Sequence, residues 1–218
     1  MITVGIDEAG VGTWAGPMIV VGAAFREDTK FPELVRDSKK LSCDQREGLV
    51  DDIYDLAEWV IIKRLTVDYL NAVEEVWPQW DKVVREIVAQ SREWEADEII
   101  VDGLRMVDGL GGVIYEPKAD DTYPEVSAAS VVAKYVQTCA MEDLHRDYPG
   151  YGFNKHHGYG TKEHKDRLEE LGPTRGHRIF YKPIKVVVDN LPVEDRHELR
   201  RLALKKIQIY TSIIDHRR

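Results

Sequence analysis

The run ITVGI at residues 2–6 is β-branched and apolar, and it ends on two adjacent acids, Asp7 and Glu8, just ahead of Gly10-Val11-Gly12. Such a run, bounded by glycine, reads as a buried strand. Ionised carboxylates leave water only at a cost of several kcal/mol unless a cation or donors replace it. A strand that stops this way implies a fold in which something positive meets its end. A second β-branched run, MIVVGAAF (18–25), follows after a loop too short for a helix, which predicts an antiparallel pair.

The period then changes. Over DSKKLSCDQREGLVDDIYDLA, Leu49, Ile53 and Leu56 recur at helical spacing and Ser42 with Gln45 reads as a capping box, so a helix is predicted from about Cys43 to Ala57. EWVIIKRL (58–65) reads as a third strand, and VDYLNAVEEV and PQWDKVVREIVAQSREWE as helices. DEIIVDG (97–103) and GVIYEPKAD (112–120) read as the fourth and fifth strands. PEVSAASVVAKYVQTCAMEDLHRD and residues 162–171 are predicted helical. After KPIKVVVDNLP comes a last amphipathic helix in which Leu199, Leu202, Ile209 and Ile213 share a face. This order predicts an α/β fold: a mixed sheet of about five strands flanked by helices, with a C-terminal helical extension. The main domain is expected over 1–185, and 186–218 is expected to form a linker and a helix that packs back on it.

The chain has 218 residues, 43% of them hydrophobic and 32% charged, with no long apolar run and no cleavable leader pattern. A cytoplasmic protein without a membrane partner is expected. Cys43 and Cys139 have no metal-type spacing and are read as ordinary reduced residues. Net charge is −9, which on average disfavours a polyanionic partner, yet residues 154–185 carry eight Lys/Arg against four acids, together with four histidines. This basic zone is either a phosphate-binding track or a merely solvated helix and loop.

Asp102 ends the apolar run EIIV, and Asp120 and Asp121 end VIYEPKA. Ligands of α/β sheets gather outside the carboxyl ends of strands, so Asp7, Glu8, Asp102 and Asp120 can converge on one rim. Asp7 and Glu8 would point to opposite faces of a straight strand, and Gly10 and Gly12 permit a turn that brings them together. Clustered carboxylates repel unless divalent cations neutralise them. An all-oxygen set favours Mg2+ or Mn2+ over zinc, and two such ions suit in-line phosphoryl displacement. The alternative is a set of strand-end acids facing water.

GIDEAG, DSKKLS (37–42), VDG (101–103), KADDTYPEVSAASVVAK (118–134) and YPGYGFNKHHGYGTKEH (148–164) resemble the type 2 ribonucleases H, in particular ribonuclease HII, in order and spacing over residues 2–185. The resemblance implies a ribonuclease H-like fold and endonucleolytic hydrolysis of the RNA strand of RNA–DNA hybrids. It also implies cutting at ribonucleotides embedded in DNA, leaving 3'-hydroxyl and 5'-phosphate ends. Asp7, Glu8, Asp102 and Asp120 match the catalytic metal-binding quartet. Gly10, Val11 and Gly12 match the loop that reads 2'-hydroxyls, Lys39 a phosphate-contacting lysine, and Tyr159 the tyrosine that stacks on the sugar beside the junction. A surface lysine and an ordinary loop or core tyrosine are the alternatives for the last two. The expected partners are an RNA–DNA duplex and ribonucleotide-containing DNA, and the expected state is a monomer. His156, His157 and His164 could protonate a leaving group or contact phosphate; neither role is assigned.

The chain departs from the family pattern in its loop. Ribonuclease HII usually has Gly-Arg-Gly followed by Pro-Leu, whereas here Gly10-Val11-Gly12 precedes Thr13-Trp14. A non-arginine residue between the glycines and an aromatic at Trp14 resemble the sister ribonuclease HIII, which usually carries an N-terminal substrate-binding domain and a glutamate as fourth acid. Here the first strand starts at Ile2 and the fourth acid is Asp120, which favours the HII type. A chain that binds hybrids without cutting them is a further alternative.

Overall fold

A computed structural model describes residues 1–35, 43–203 and 209–216. The elements run β1 (Ile2–Ala9), β2 (Met18–Arg26), α1 (Cys43–Leu56), β3 (Trp59–Leu65), α2 (Val67–Val73), α3 (Trp77–Glu93), β4 (Glu98–Asp102) and β5 (Ile114–Glu116). They continue with α4 (Ala119–Thr122), α5 (Pro124–Asp147), α6 (Phe153–His156), α7 (Lys162–Leu171), α8 (Lys182–Asp189), α9 (Val193–Ala203) and β6 (Ile209–Asp215). The six strands among the described residues form one mixed sheet in the order β5-β4-β1-β2-β3-β6. β1, β2, β3 and β6 pair antiparallel, while β4 and β5 extend the other side in parallel after the crossover through α2 and α3.

Both faces of the sheet are covered. On one side α3 presents Trp80, Val83, Val84, Ile87 and Val88, spaced along a single helical face, to Val4, Ile6, Val20, Ile61 and Val101. On the other side α1 and α5 cover Ile19, Val21, Ala23, Val60 and Ile62. This is why MIVVGAAF reads as a continuous apolar run: β2 is buried on both faces. α5 lies against β1 so closely that a Cβ added at Gly5 would sit 2.2 Å from the Glu125 carbonyl carbon. The small residues Ser127, Ala128 and Ala129 of the same helix are buried there.

The predicted helix over 199–213 is corrected. Helix α9 stops at Ala203, and Ile209–Asp215 is a sixth, edge strand whose Ile213 pairs with Ile61 of β3. IYTSIID is β-branched and aromatic, and an open antiparallel edge outweighs the helical spacing of its apolar residues. The fifth strand is shorter than predicted, because Lys118 at φ 59 turns the chain into α4, so Asp120 sits on a helical turn rather than at a strand end. KPIKVVVD is helical as α8. The Ser42 cap lies outside the described residues.

Candidate active site

β1 and β4 are parallel, with Ile6 opposite Val101 as the last paired positions. Asp7 and Asp102 follow on their respective strands, at the same edge of the sheet and on the face covered by α5. Asp7 is buried, and its carboxylate is bonded by Ser130 of α5 and, at 2.7 Å, by the Glu8 N–H. Glu8 projects from the other face, where the indole Nε1 of Trp80 donates to its Oε2 at 3.1 Å. No turn separates these two acids: β1 runs straight to Ala9 and the chain bends only at Gly10, φ 81. They interact across the end of the strand. Asp102 accepts from the Ala119 N–H at 2.7 Å, and the next residue, Asp120, is buried.

Electrostatics follow from this crowding. Burial first, then the charges of Glu8 and Asp102, push the Asp7 carboxyl well above the ordinary carboxylate range, against the bonds from Ser130 and the Glu8 N–H. Burial raises Glu8 to about 7, with the Asp102 charge adding and the Trp80 bond opposing. Among the described residues no three acid, histidine or cysteine side chains are already gathered closely enough to hold an ion. Trp80, Ser130 and the Ala119 N–H each occupy a carboxylate oxygen instead. The donor chemistry fits a hard divalent cation: the site offers carboxylate oxygens whose ionisation is opposed by burial and mutual repulsion, and such a cation would relieve both.

The loop after β1 is held from behind by Arg178, which is fully buried. Its guanidinium donates to the carbonyls of Gly16 at 3.0 Å, Val11 at 2.9 Å and Gly10 at 2.6 Å. The Tyr181 hydroxyl donates to Val11 O at 2.5 Å, and the Thr13 hydroxyl to Gly10 O at 3.0 Å. Both lone pairs of each carbonyl at Gly10 and Val11 are therefore taken. Gly12 is exposed, and a Cβ added there would meet nothing within 4 Å.

Beside the loop lies a groove lined by Glu8, Gly12, Arg46, Ser130, Lys134 and Tyr159. Tyr159 is 42% exposed, with Lys134 Nζ 5.6 Å from its ring centroid. The sequence reading missed Arg46 and Lys134. Lys134 closes the SAASVVAK motif, so the signal was present, but α5 had to be folded onto β1 before Lys134, midway along it, faced the groove. Burial, then the charge of Arg46, lowers the Lys134 pKa. Lys39 lies outside the described residues.

The basic zone is largely engaged. Arg178 is inside, Arg175 forms a two-armed ion pair with Asp68, and Lys155, Lys165, Arg167 and Lys185 meet Glu163, Glu169, Glu170 and Asp189. The last four pairs are exposed and exchange partners at little cost, whereas Arg178 is withdrawn from any surface track and Arg175, partly exposed, is committed to Asp68. His156 and His164 are buried, each with a ring nitrogen hydrogen-bonded to a backbone carbonyl, of Tyr151 and Tyr159 respectively.

The family model of ribonuclease HII matches residues 4–184. Ribonuclease HII of Thermus thermophilus is 36% identical over 187 residues, covering 84% of this chain and 88% of that one. The structure resembles that of ribonuclease HII in the PCNA complex from Archaeoglobus fulgidus, with TM-score 0.70 and 26% identity over 89% of this chain and all of the other. A ribonuclease HIII in complex with Mn2+ shares the fold, with TM-score 0.64 and 18% identity over 87% of this chain and 70% of that one. With its mixed sheet, its rim of acids and these relatives, the chain belongs to the ribonuclease HII family and is a ribonuclease H, a phosphodiester-hydrolysing endonuclease of RNA–DNA hybrids.

Proposed function

We propose that the chain cuts both continuous RNA–DNA hybrids and ribonucleotides embedded in duplex DNA, leaving 3'-hydroxyl and 5'-phosphate ends, with two Mg2+ or Mn2+ ions held by Asp7, Glu8, Asp102 and Asp120. The observation that carries this reading is the meeting of Asp7, Glu8 and Asp102 at the carboxyl ends of adjacent parallel strands. Bound divalent ions would supply charge neutralisation, an acidified water and stabilisation of the attacking and leaving oxygens.

The chain's own residues do the rest. Lys134 and Arg46 offer positive charge to the duplex backbone where the acids would repel it. Tyr159 presents an exposed ring for stacking on a sugar, and Lys39 is assigned a phosphate by resemblance. Because the Gly10 and Val11 carbonyls are occupied, reading of a 2'-hydroxyl falls to the loop's N–H donors, with Gly12 leaving room for close approach.

Val11 favours a second reading, in which continuous hybrids are preferred as in ribonuclease HIII, because the loop lacks a side-chain cation for the junction phosphate. A cleavage assay with Mg2+ or Mn2+ decides between them, using one end-labelled duplex with a single ribonucleotide and one continuous hybrid. Cutting of both supports the main reading and cutting of the hybrid alone supports the second. Binding of both without cutting overturns the enzymatic reading.

A further inference from the structure

We propose that His164 is a positioning residue for the substrate groove, setting Tyr159 through a two-histidine relay anchored on Thr174. The proposal rests on the reading of Tyr159 as a duplex contact.

The proton order of the relay is fixed at both ends. His177 Nδ1 lies 3.0 Å from the Thr174 backbone N, which can only donate, so Nδ1 is bare. A neutral ring then carries its proton on Nε2, which faces His164 Nε2 at 3.1 Å. His164 Nε2 accepts, so its own proton sits on Nδ1, 2.9 Å from the Tyr159 carbonyl oxygen. A carbonyl can only accept, and the far end therefore demands the same order. Burial keeps both rings neutral at pH 7, lowering His164 to about 4 and His177 to about 3.

The relay is braced along its length. The His177 carbonyl accepts from Asn71 of α2 at 2.9 Å. The His164 backbone N–H is held by Thr161 Oγ1 at 3.2 Å, and its ring stacks on His156 at 4.4 Å with Trp14 at 5.4 Å on another side. The Tyr159 carbonyl also accepts from the Thr161 N–H at 2.8 Å, so both its lone pairs are filled. The inner side of Tyr159 is thus pinned while its ring stands in the groove. Lys134 lies over one part of the ring at 5.6 Å from its centroid, and the placement of the backbone decides where the ring meets a sugar. A pair of apolar side chains would fill the same volume without directing that carbonyl.

The test is a double-mutant cycle between His164→Phe and Tyr159→Ala, read as KM and kcat on a continuous RNA–DNA hybrid in Mg2+ well below each variant's Tm. His164→Phe keeps the ring volume and cuts the relay. It is expected to raise KM about tenfold with little change in kcat. His164→Asn, whose amide can still donate to the Tyr159 carbonyl, is expected to restore most of the loss. In the Tyr159→Ala background His164→Phe is expected to add nothing. A wild-type KM in His164→Phe, or additive losses in the cycle, would overturn the proposal. Should His164→Phe not fold, His177→Asn takes its place in the cycle, keeping an acceptor for Thr174 but losing the donor to His164. If wild-type protein neither binds nor cuts the hybrid, the functional reading fails; if it does both and the cycle is additive, only the relay fails.

Discussion

Trp80 of α3 donates its indole proton to Glu8 Oε2 at 3.1 Å, so a core aromatic holds one of the rim acids by its carboxylate. A donor to the charged form favours ionisation. Trp80→Phe should therefore move the Glu8 pKa above its value of about 7 and shift the pH midpoint of Mg2+ binding to the alkaline side. The lost volume and bond should cost about 2 kcal/mol of stability. Calorimetric titration of Mg2+ across pH checks this, and an unmoved midpoint would show that the bond does not tune Glu8.

Asp120 is buried next to Ala119, whose N–H Asp102 holds, while Arg46 and Lys134 line the neighbouring groove. Asp120→Asn is expected to lower kcat at least about 100-fold while the hybrid Kd changes little. Single-turnover cleavage alongside fluorescence anisotropy separates the two effects. Normal turnover would remove Asp120 from the quartet.

In metal-free protein Glu8 holds its proton more tightly than it does in the unfolded chain. The folded state then binds more protons than the unfolded one between the ordinary carboxylate range and about pH 7, so the stability this proton provides is complete in acid and is lost as pH rises through about 7. Measured relative to Glu8→Gln, the loss from pH 5 to 8 should be on the order of 2 kcal/mol, allowing for the partial exposure of Glu8. Urea unfolding in EDTA reads it, and excess Mg2+ at pH 8 should reverse it. Parallel pH profiles for the two proteins would contradict the raised pKa.

Val11 lies partly buried against the core, with its carbonyl fixed by Arg178 and Tyr181. Because the backbone there is anchored independently of the side chain, Val11→Arg should leave the loop in place and let the guanidinium reach solvent along its aliphatic stem. A phosphate contact worth roughly 1.5–3 kcal/mol should then raise cleavage of the single-ribonucleotide duplex at least tenfold over wild type. No gain would mean that the missing arginine does not limit junction recognition.

Much of this was legible in the chain itself. Local period placed β1 to β4 and located α5 at Pro124–Asp147 and α7 at Lys162–Leu171, because each strand or helix buries a face whose spacing is written in consecutive residues. The rim acids were legible for a related reason: a carboxylate at the end of an apolar run is unusual wherever the strand ends up. The sequence failed where distant partners decide. Ile209 and Ile213 fit a helical face as well as a strand, and only the open edge of β3 made them β6.

The site divides the same way. Sequence alone marked Asp7, Glu8, Asp102 and Asp120 as candidates for the chemistry, and showed which loop follows the first two. It could not determine that Arg178 lies inside holding that loop rather than on a basic surface. Nor could it determine that Arg46 and Lys134 line one groove with Tyr159, or that His177 and His164 pass one hydrogen-bond direction to Tyr159. A charge or an imidazole has no fixed role until burial and a partner far along the chain select its protonation state and direction, and that selection belongs to the tertiary structure.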